Sequence, residues 1–285
     1  NVGLSVSAAG DVNGDGFADL LLSETQGTGG GARLTAGRAW LVYGHGGPFP
    51  ASIDLEALSA ASAVRVEGDS ERALRGYSAD SAGDVNGDGL ADSLLGPFTI
   101  IGDPINPRTG ATLGMVLLGN TDGLPAVTRS DELDGHNGFR LELPENVGLH
   151  VAEVSSAGDF NGDGYADVMV YAPQSNLGPT PEPVNFLVFG RAEGFGPTVS
   201  LDSLDGSDGF ALVADEASLG FVYSLNVDSA GDINGDGFDD LVIGAPYLST
   251  AGANFGGSAF VVFGHGGATQ ATFDLASLDG GNGFS

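Results

Sequence analysis

Asp159-Phe160-Asn161-Gly162-Asp163-Gly164-Tyr165-Ala166-Asp167 decides how the rest of the chain reads. The same nine-residue pattern, D-x-N-G-D-G-x-x-D, also opens at Asp11, Asp84 and Asp232. Ser or Ala followed by Ala-Gly precedes each copy, and an apolar run such as Leu20-Leu21-Leu22 or Leu241-Val242-Ile243 follows. Three acids and an amide crowded into nine residues repel one another without a counter-ion. A hard cation resolves the conflict, and Ca²⁺ takes six to eight oxygens at about 2.3–2.6 Å. Side-chain oxygens come from position 1 (Asp11, Asp84, Asp159, Asp232), position 3 (Asn13, Asn86, Asn161, Asn234) and position 5 (Asp15, Asp88, Asp163, Asp236). Position 7 (Phe17, Leu90, Tyr165, Phe238) offers its backbone carbonyl, and position 9 (Asp19, Asp92, Asp167, Asp240) a further carboxylate. The glycines at positions 4 and 6 permit the tight, partly left-handed turn that aims these oxygens inward. The expectation is about four bound Ca²⁺.

The pattern begins like an EF-hand loop, which closes with a bidentate Glu at position 12. Here position 12 is Leu22, Leu95, Val170 or Ile243, none of which can ligate. The loop therefore closes early, at position 9, and the chain leaves it as a strand. The alternative is a metal-free Asn-Gly/Asp-Gly hairpin turn. Four copies with every acid retained weigh against it.

The loops begin at 11, 84, 159 and 232, a period of 73 to 75 residues that signals a repeat architecture. Apolar residues make up 41% of the 285, which argues against disorder. The net charge is −29 with nine Lys and Arg, so nucleic acid and anionic membrane are poor partners. Four Ca²⁺, eight positive charges, would bring −29 to −21. There is no Cys, which excludes disulfides, thiol catalysis and Cys-based zinc sites. No apolar run approaches the ~20 residues of a membrane span. The chain begins inside a repeat, and any targeting segment is expected outside it. Millimolar calcium is an extracellular condition, and extracellular Ca²⁺ modules bind at roughly 10⁻⁴–10⁻³ M.

Each repeat reads in the same order. A short alternating segment enters the loop, as in Val2 to Ser7. A strand leaves it, a Gly/Pro-rich link follows, and a third strand comes next: Ala39 to Gly44, Met115 to Gly119, Asn185 to Gly190 and Ser258 to Gly264. The short run Ile53-Asp54-Leu55 reads as the fourth strand of the first repeat. Leu133-Asp134-Gly135-His136-Asn137-Gly138-Phe139 recurs at Leu204–Phe210 and Leu278–Phe284 and is decayed at Leu58 to Val64. It reads as a turn between repeats whose Phe plugs the core, with a sugar or second metal site as the alternative. Repeats are placed at about 1–66, 67–139, 140–210 and 211–285, in one propeller or propeller segment. Four-stranded units around an axis make an all-β β-propeller, each blade carrying its calcium loop between its first two strands.

These residues resemble FG-GAP repeats, as in the integrin α-subunit propeller and many secreted bacterial proteins. The "FG" element corresponds to Gly220-Phe221. The "GAP" element is intact at Gly244-Ala245-Pro246, partial at Ala172-Pro173 and Gly96-Pro97, and replaced by Ser23-Glu24-Thr25 in the first repeat. The resemblance implies seven blades of around sixty residues, whereas four longer ones are present. Either the ends join in a small ring or the chain is a stretch of a longer propeller; the family's size favours the second.

For function, His45 and His265 share one turn position, and no nucleophile elbow, HExxH or phosphate loop is present. Twelve of the 38 acids stand at the loops' ligand positions, where a bound metal makes them poor general acids or bases. The leading reading is a non-enzymatic, secreted or cell-surface module that recognises an extracellular protein or glycan in adhesion. Its contact face is placed on the variable links 24–37, 97–111, 172–183 and 245–257, since loops on a rigid scaffold carry recognition. The alternatives are a structural unit of a surface filament or giant adhesin, self-associating through blade edges, and a polysaccharide-acting enzyme.

Overall fold

Every acidic loop joins two antiparallel strands, and two further strands complete each sheet. The computed structural model describes residues 2–24, 38–67, 78–96, 111–143, 153–171, 183–213, 226–245, 257–267 and 269–285. The first sheet holds β1 (Val2–Gly10), β2 (Asp19–Glu24), β3 (Arg38–Val42) and β4 (Ala63–Glu67). The second holds β5 (Ser78–Gly83), β6 (Asp92–Gly96), β7 (Ala111–Leu117) and, past the short β8 (Val127–Arg129), β9 (Gly138–Leu143). The third holds β10 (Glu153–Gly158), β11 (Asp167–Tyr171), β12 (Pro183–Val188) and, past β13 (Thr198–Ser200), β14 (Gly209–Val213). The fourth holds β15 (Asn226–Gly231), β16 (Asp240–Ala245), β17 (Ser258–Val262) and, past β18 (Thr272–Asp274), β19 (Gly283–Phe284). This is an all-β molecule of four-stranded propeller blades.

The blades stack in sequence, with inner strands β1, β5, β10 and β15 each packed against the next. Strands in the middle of the stack are covered on both faces, so β6 (Asp-Ser-Leu-Leu-Gly) and β11 (Asp-Val-Met-Val-Tyr) are buried at every residue. Apolar residues fill the three interfaces. Leu21, Leu41 and Val64 meet Leu95 and Met115; Leu94, Val116 and Leu141 meet Val168, Val170 and Phe186; Met169, Leu187 and Leu212 meet Leu241, Ile243 and Phe260. Each such side chain contributes on the order of 1.5–3 kcal/mol when fully buried. No blade covers both of its faces alone.

The short strands β8, β13 and β18 do not serve their own blades. Each pairs in parallel with the outermost strand of the preceding blade: β8 on β4 (Val66↔Thr128), β13 on β9 (Leu141↔Val199) and β18 on β14 (Leu212↔Phe273). A single 3₁₀ turn follows each, as at Leu201–Ser203. This corrects the expected fourth strand at Ile53-Asp54-Leu55. Leu55–Ala57 is the matching 3₁₀ turn, capped by the Asp54 carboxylate accepting from the Glu56 N–H, and the fourth strand is β4. Residues 52–54 stand at the position of the borrowed strands and pair with no sheet among the described residues. The expected boundaries after 66, 139 and 210 fall inside β4, β9 and β14, because Phe139 and Phe210 lie at the start of outer strands rather than in turns between repeats.

The first and last blades each leave one face open. Val6 is 64% and Leu20 52% exposed, whereas their counterparts Val154 and Leu241 are 5% and 0% exposed. At the other end Ile233 is 51% exposed, against 0% for Phe160. Among the described residues no helix is long and apolar enough to cross a membrane.

Candidate functional site

The acidic loop is built by its own backbone. In the first copy, Gly14 and Gly16 have φ of 73° and 86°, a conformation that costs a non-glycine residue a kcal/mol or more. The turn brings a fan of N–H groups onto the acids. The Asp11 carboxylate accepts from the Gly14, Asp15 and Gly16 N–H groups at 2.8–3.1 Å. Asn13 accepts from the Asp15 N–H, and its amide donates to the Asp15 carboxylate. Asp15 in turn accepts from the Phe17 N–H at 2.9 Å. The same bonds recur around Asp84 and Asp232, and with the Gly162 N–H excepted around Asp159. The side chains at positions 1, 3 and 5 are thus tied to one another and to the loop backbone in every copy.

Position 9 has a second duty. Asp167 is fully buried, accepting from the Phe160 N–H within its loop and from the Gly190 N–H just past β12, both at 2.9 Å. Asp19 holds the Val12 and Gly44 N–H groups, Asp92 those of Val85 and Gly119, and Asp240 those of Ile233 and Gly264. Each of these carboxylates ties its first, second and third strands together. Burial pushes the Asp92 carboxyl up to about 7 and that of Asp167 to about 8, against the pull of their N–H donors; neighbouring loop acids add to the rise. Asp19 is raised for the same reasons.

The loops also fasten blade to blade. The carbonyls of Asp11 and Val12 accept from the Ala91 and Asn120 N–H groups of the next blade. Asp84 and Val85 accept from Ala166 and Arg191, and Asp159 and Phe160 from Asp239 and His265. The position-7 side chain lies over the glycine at position 4 of the preceding loop: a Cβ on Gly87 would meet the Tyr165 ring, and one on Gly162 the Phe238 ring. At Gly87 and Gly162 glycine is therefore required for clearance as well as for φ.

Does this donor set fit a cation? Among the described residues, none of the loop carboxylates has a Lys, Arg or His ion-pair partner. Each carboxylate oxygen that accepts one N–H keeps a second lone pair. In this arrangement, however, the acids turn onto the backbone, and no group of three or more Asp, Glu, His or Cys side chains among the described residues is gathered as a metal-holding cluster. The residue types fit Ca²⁺. The holding set would be the position 1, 3, 5 and 9 side chains with the position 7 carbonyl, as in Asp159, Asn161, Asp163, Asp167 and Tyr165.

Sequence reading missed two features. Asp239 stands where the other loops carry Ala18, Ala91 and Ala166; its carboxylate accepts from the Asp159 N–H across the interface between the third and fourth blades. The second is a plug position after the third strand. Phe195 reaches back to stack on Phe139 of the preceding blade, with centroids 4.0 Å apart, under the Arg191 guanidinium. Leu124 is the buried equivalent one blade earlier, Phe49 the exposed one in the first blade, and Thr269 the one in the last. Aligning the repeats from the glycine that ends the third strand would have shown both. The links chosen as a contact face lie almost entirely outside the described residues, as does Gly220-Phe221.

The FG-GAP repeat model matches residues 2–42, 152–182 and 227–262. The chain carries FG-GAP repeats. Its matches fall on the strands and loops of the first, third and fourth blades. Similar proteins include integrin alpha-4 of Xenopus laevis, 30% identical over 165 residues, and integrin alpha-PS5 of Drosophila melanogaster, 29% identical over 175. These alignments cover 58% and 60% of this chain but 14% and 15% of those proteins. Integrin alpha ina-1 of Caenorhabditis elegans is 43% identical over 61 residues, 21% of this chain and 5% of that protein. The chain is similar to integrin alpha subunits and spans about a seventh of the longest-aligned of these relatives.

Proposed function

We propose that this is an extracellular recognition module: a propeller whose four loops bind Ca²⁺ and whose rigid blades present loops to a protein or glycan partner. Support for the recognition role is the FG-GAP match and the likeness to integrin alpha subunits. The observation that carries the metal is fourfold repetition of three carboxylates and an amide in one loop, with no cationic side chain paired to them among the described residues. A divalent cation would relieve the repulsion that burial intensifies at position 9, and it would stabilise the fold by binding the native state alone. Because the loop carbonyls also join successive blades, loss of metal would loosen blade packing as well as the loops. The reading assigns no catalytic residue, and it places the protein outside the cell or on its surface.

Calcium titration by calorimetry, with equilibrium dialysis for stoichiometry, tests the metal. About four sites per chain are expected; none at 10 mM would end the calcium reading. Calcium-dependent retention on glycan or host-protein beads tests recognition, and equal retention in chelator counts against it.

The end faces favour a second reading, association from copy to copy. Among the described residues, the Ala18 and His45 N–H groups on the open side of the first blade and the Asp232 and Ile233 carbonyls on that of the last make no backbone bond, at the positions that bond in each internal interface. Light scattering across concentration reads this out: growth in mass that Leu20→Asp abolishes supports it, and a monomer at every concentration rejects it.

A further inference from the structure

The plug position separates two otherwise equivalent interfaces. Between the second and third blades, Phe195 covers Phe139. Between the third and fourth, the residue at that position is Thr269, whose hydroxyl donates to the Gly206 carbonyl and whose side chain is too short to reach the matching ring, Phe210. His265 stands where Arg191 did. A cavity of about 470 Å³ opens there, lined by Phe210, Phe273, His265, Thr269, Gln270 and Asp274, with Thr272 and Ser277 at its edge. It is at the same end of the blades as the acidic loops, since the His265 N–H bonds the Phe160 carbonyl and its ring meets the Phe160 ring edge-on.

The lining is chemically mixed in a way that selects a ligand class. Phe210 is buried, held among Phe160, Phe189 and Phe273, while Phe273 is half-buried and presents a flat apolar wall. Around that wall stand polar groups with capacity to spare. One Asp274 oxygen accepts from the Ala276 N–H, leaving the other. The Gln270 amide and the Thr272 hydroxyl are exposed and make no hydrogen bond among the described residues. The Thr269 and Ser277 hydroxyls donate inward, to the carbonyls of Gly206 and Asp274, and keep their lone pairs. No Lys or Arg lines the cavity, and Asp274 adds a negative charge in a chain already at −29, so an acidic ligand would be repelled.

We propose that this cavity binds an uncharged hexose unit of a glycan. A six-membered ring of phenyl dimensions fits the sister site, as Phe195 shows. A pyranose sets its C–H face on the aromatic wall and exchanges hydroxyl hydrogen bonds with Asp274, Gln270 and Thr272, which a phenyl ring cannot do. A plain aromatic side chain would leave those groups unpaired, and loss of polar pairing is where specificity is decided. The proposal rests on the recognition reading and deepens it toward neutral glycan; protein recognition elsewhere on the molecule does not depend on it.

The test is saturation-transfer NMR on the calcium-loaded chain with glucose, galactose, mannose and N-acetylglucosamine, with glucuronate and N-acetylphenylalaninamide as comparators. At least one neutral sugar is expected to bind while glucuronate does not. Thr269→Phe, which restores the plug of the sister site, is expected to weaken that binding at least about tenfold. Gln270→Ala, at an exposed position with no structural bond, is expected to weaken it by a smaller factor without moving Tm. No transfer to any neutral sugar at 50 mM, binding unchanged in Thr269→Phe, or binding of the phenylalanine amide alone would each overturn the proposal. Retention on host-protein beads, measured in parallel on Thr269→Phe, separates the failures: retained beads with no sugar binding leave the recognition role standing.

Discussion

The acidic loops and the plug positions sit at the same end of the blades, yet across four repeats they behave in opposite ways. All four loops keep the same acids, amide and glycines at the same places. The plug is Phe49, Leu124, Phe195 and then Thr269. The difference lies in the forces involved. A buried N–H needs an acceptor at hydrogen-bond distance and angle, so Asp at position 9 has no substitute. An apolar contact needs only volume, so Leu and Phe both serve, and at Thr269 the volume is left open as a cavity. Directional bonds hold the repeat to one sequence, while packing leaves room for the plug to change from one repeat to the next.

The sharpest way to break the comparison is to treat the two positions alike. Asp167→Ala strands the Phe160 and Gly190 N–H groups in the interior, at about 1–3 kcal/mol each. A loss of about 4 kcal/mol in urea unfolding is expected; under about 1 kcal/mol would show that the loop tolerates substitution as freely as the plug. Asp163→Ala removes a carboxylate whose bonds among the described residues are local to the loop. A loss of about 2–3 kcal/mol is expected in saturating calcium and much less in chelator, since ligand binding to the native state adds RT ln(1 + [L]/Kd). Equal shifts in both conditions would deny that residue a metal-holding role. Phe195→Ala leaves Phe139 uncovered and, because Phe195 is only half-buried, should cost about 2 kcal/mol with no dependence on calcium. A calcium-dependent loss would mean that plug and loop are not separate devices. The smallest effect is Asp239→Ala, which deletes one inter-blade bond to the Asp159 N–H. About 1 kcal/mol is expected, and any gain in stability would show that repulsion from the loop acids outweighs that bond.

What the sequence made legible follows the same division. Loop position, strand order around each loop and the blade class all came from residue types whose chemistry is local: Asp, Asn and Gly at fixed spacing, then an apolar run. The LDGxxGF signature was found but misplaced by half an element, because Phe139 and Phe210 look like turn plugs until their antiparallel pairing to Val116 and Leu187 is known. Ile53-Asp54-Leu55 was read as an outer strand because its alternation is that of a strand. In the later repeats the matching stretch is a strand, but of the neighbouring blade, and no local pattern announces whose sheet a three-residue run will join. Asp239 and Thr269 were passed over for a related reason: each departs from its repeat at one position, and its significance appears only against the residue facing it across an interface.

The borrowed strand has a consequence for how the chain is made. The outer edge of the first blade is complete only when Arg129 pairs beside Glu67, about sixty residues further along. On a ribosome emitting roughly 5–20 residues per second, that edge stays uncapped for several seconds after its own strands have emerged. Each of the first three blades is thus finished by its successor, and their synthesis proceeds with one unsealed sheet edge trailing the growing end. The short, charged outer strand β4, with Arg65 and Glu67 paired on it, is the kind of edge that resists joining the wrong neighbour during that interval.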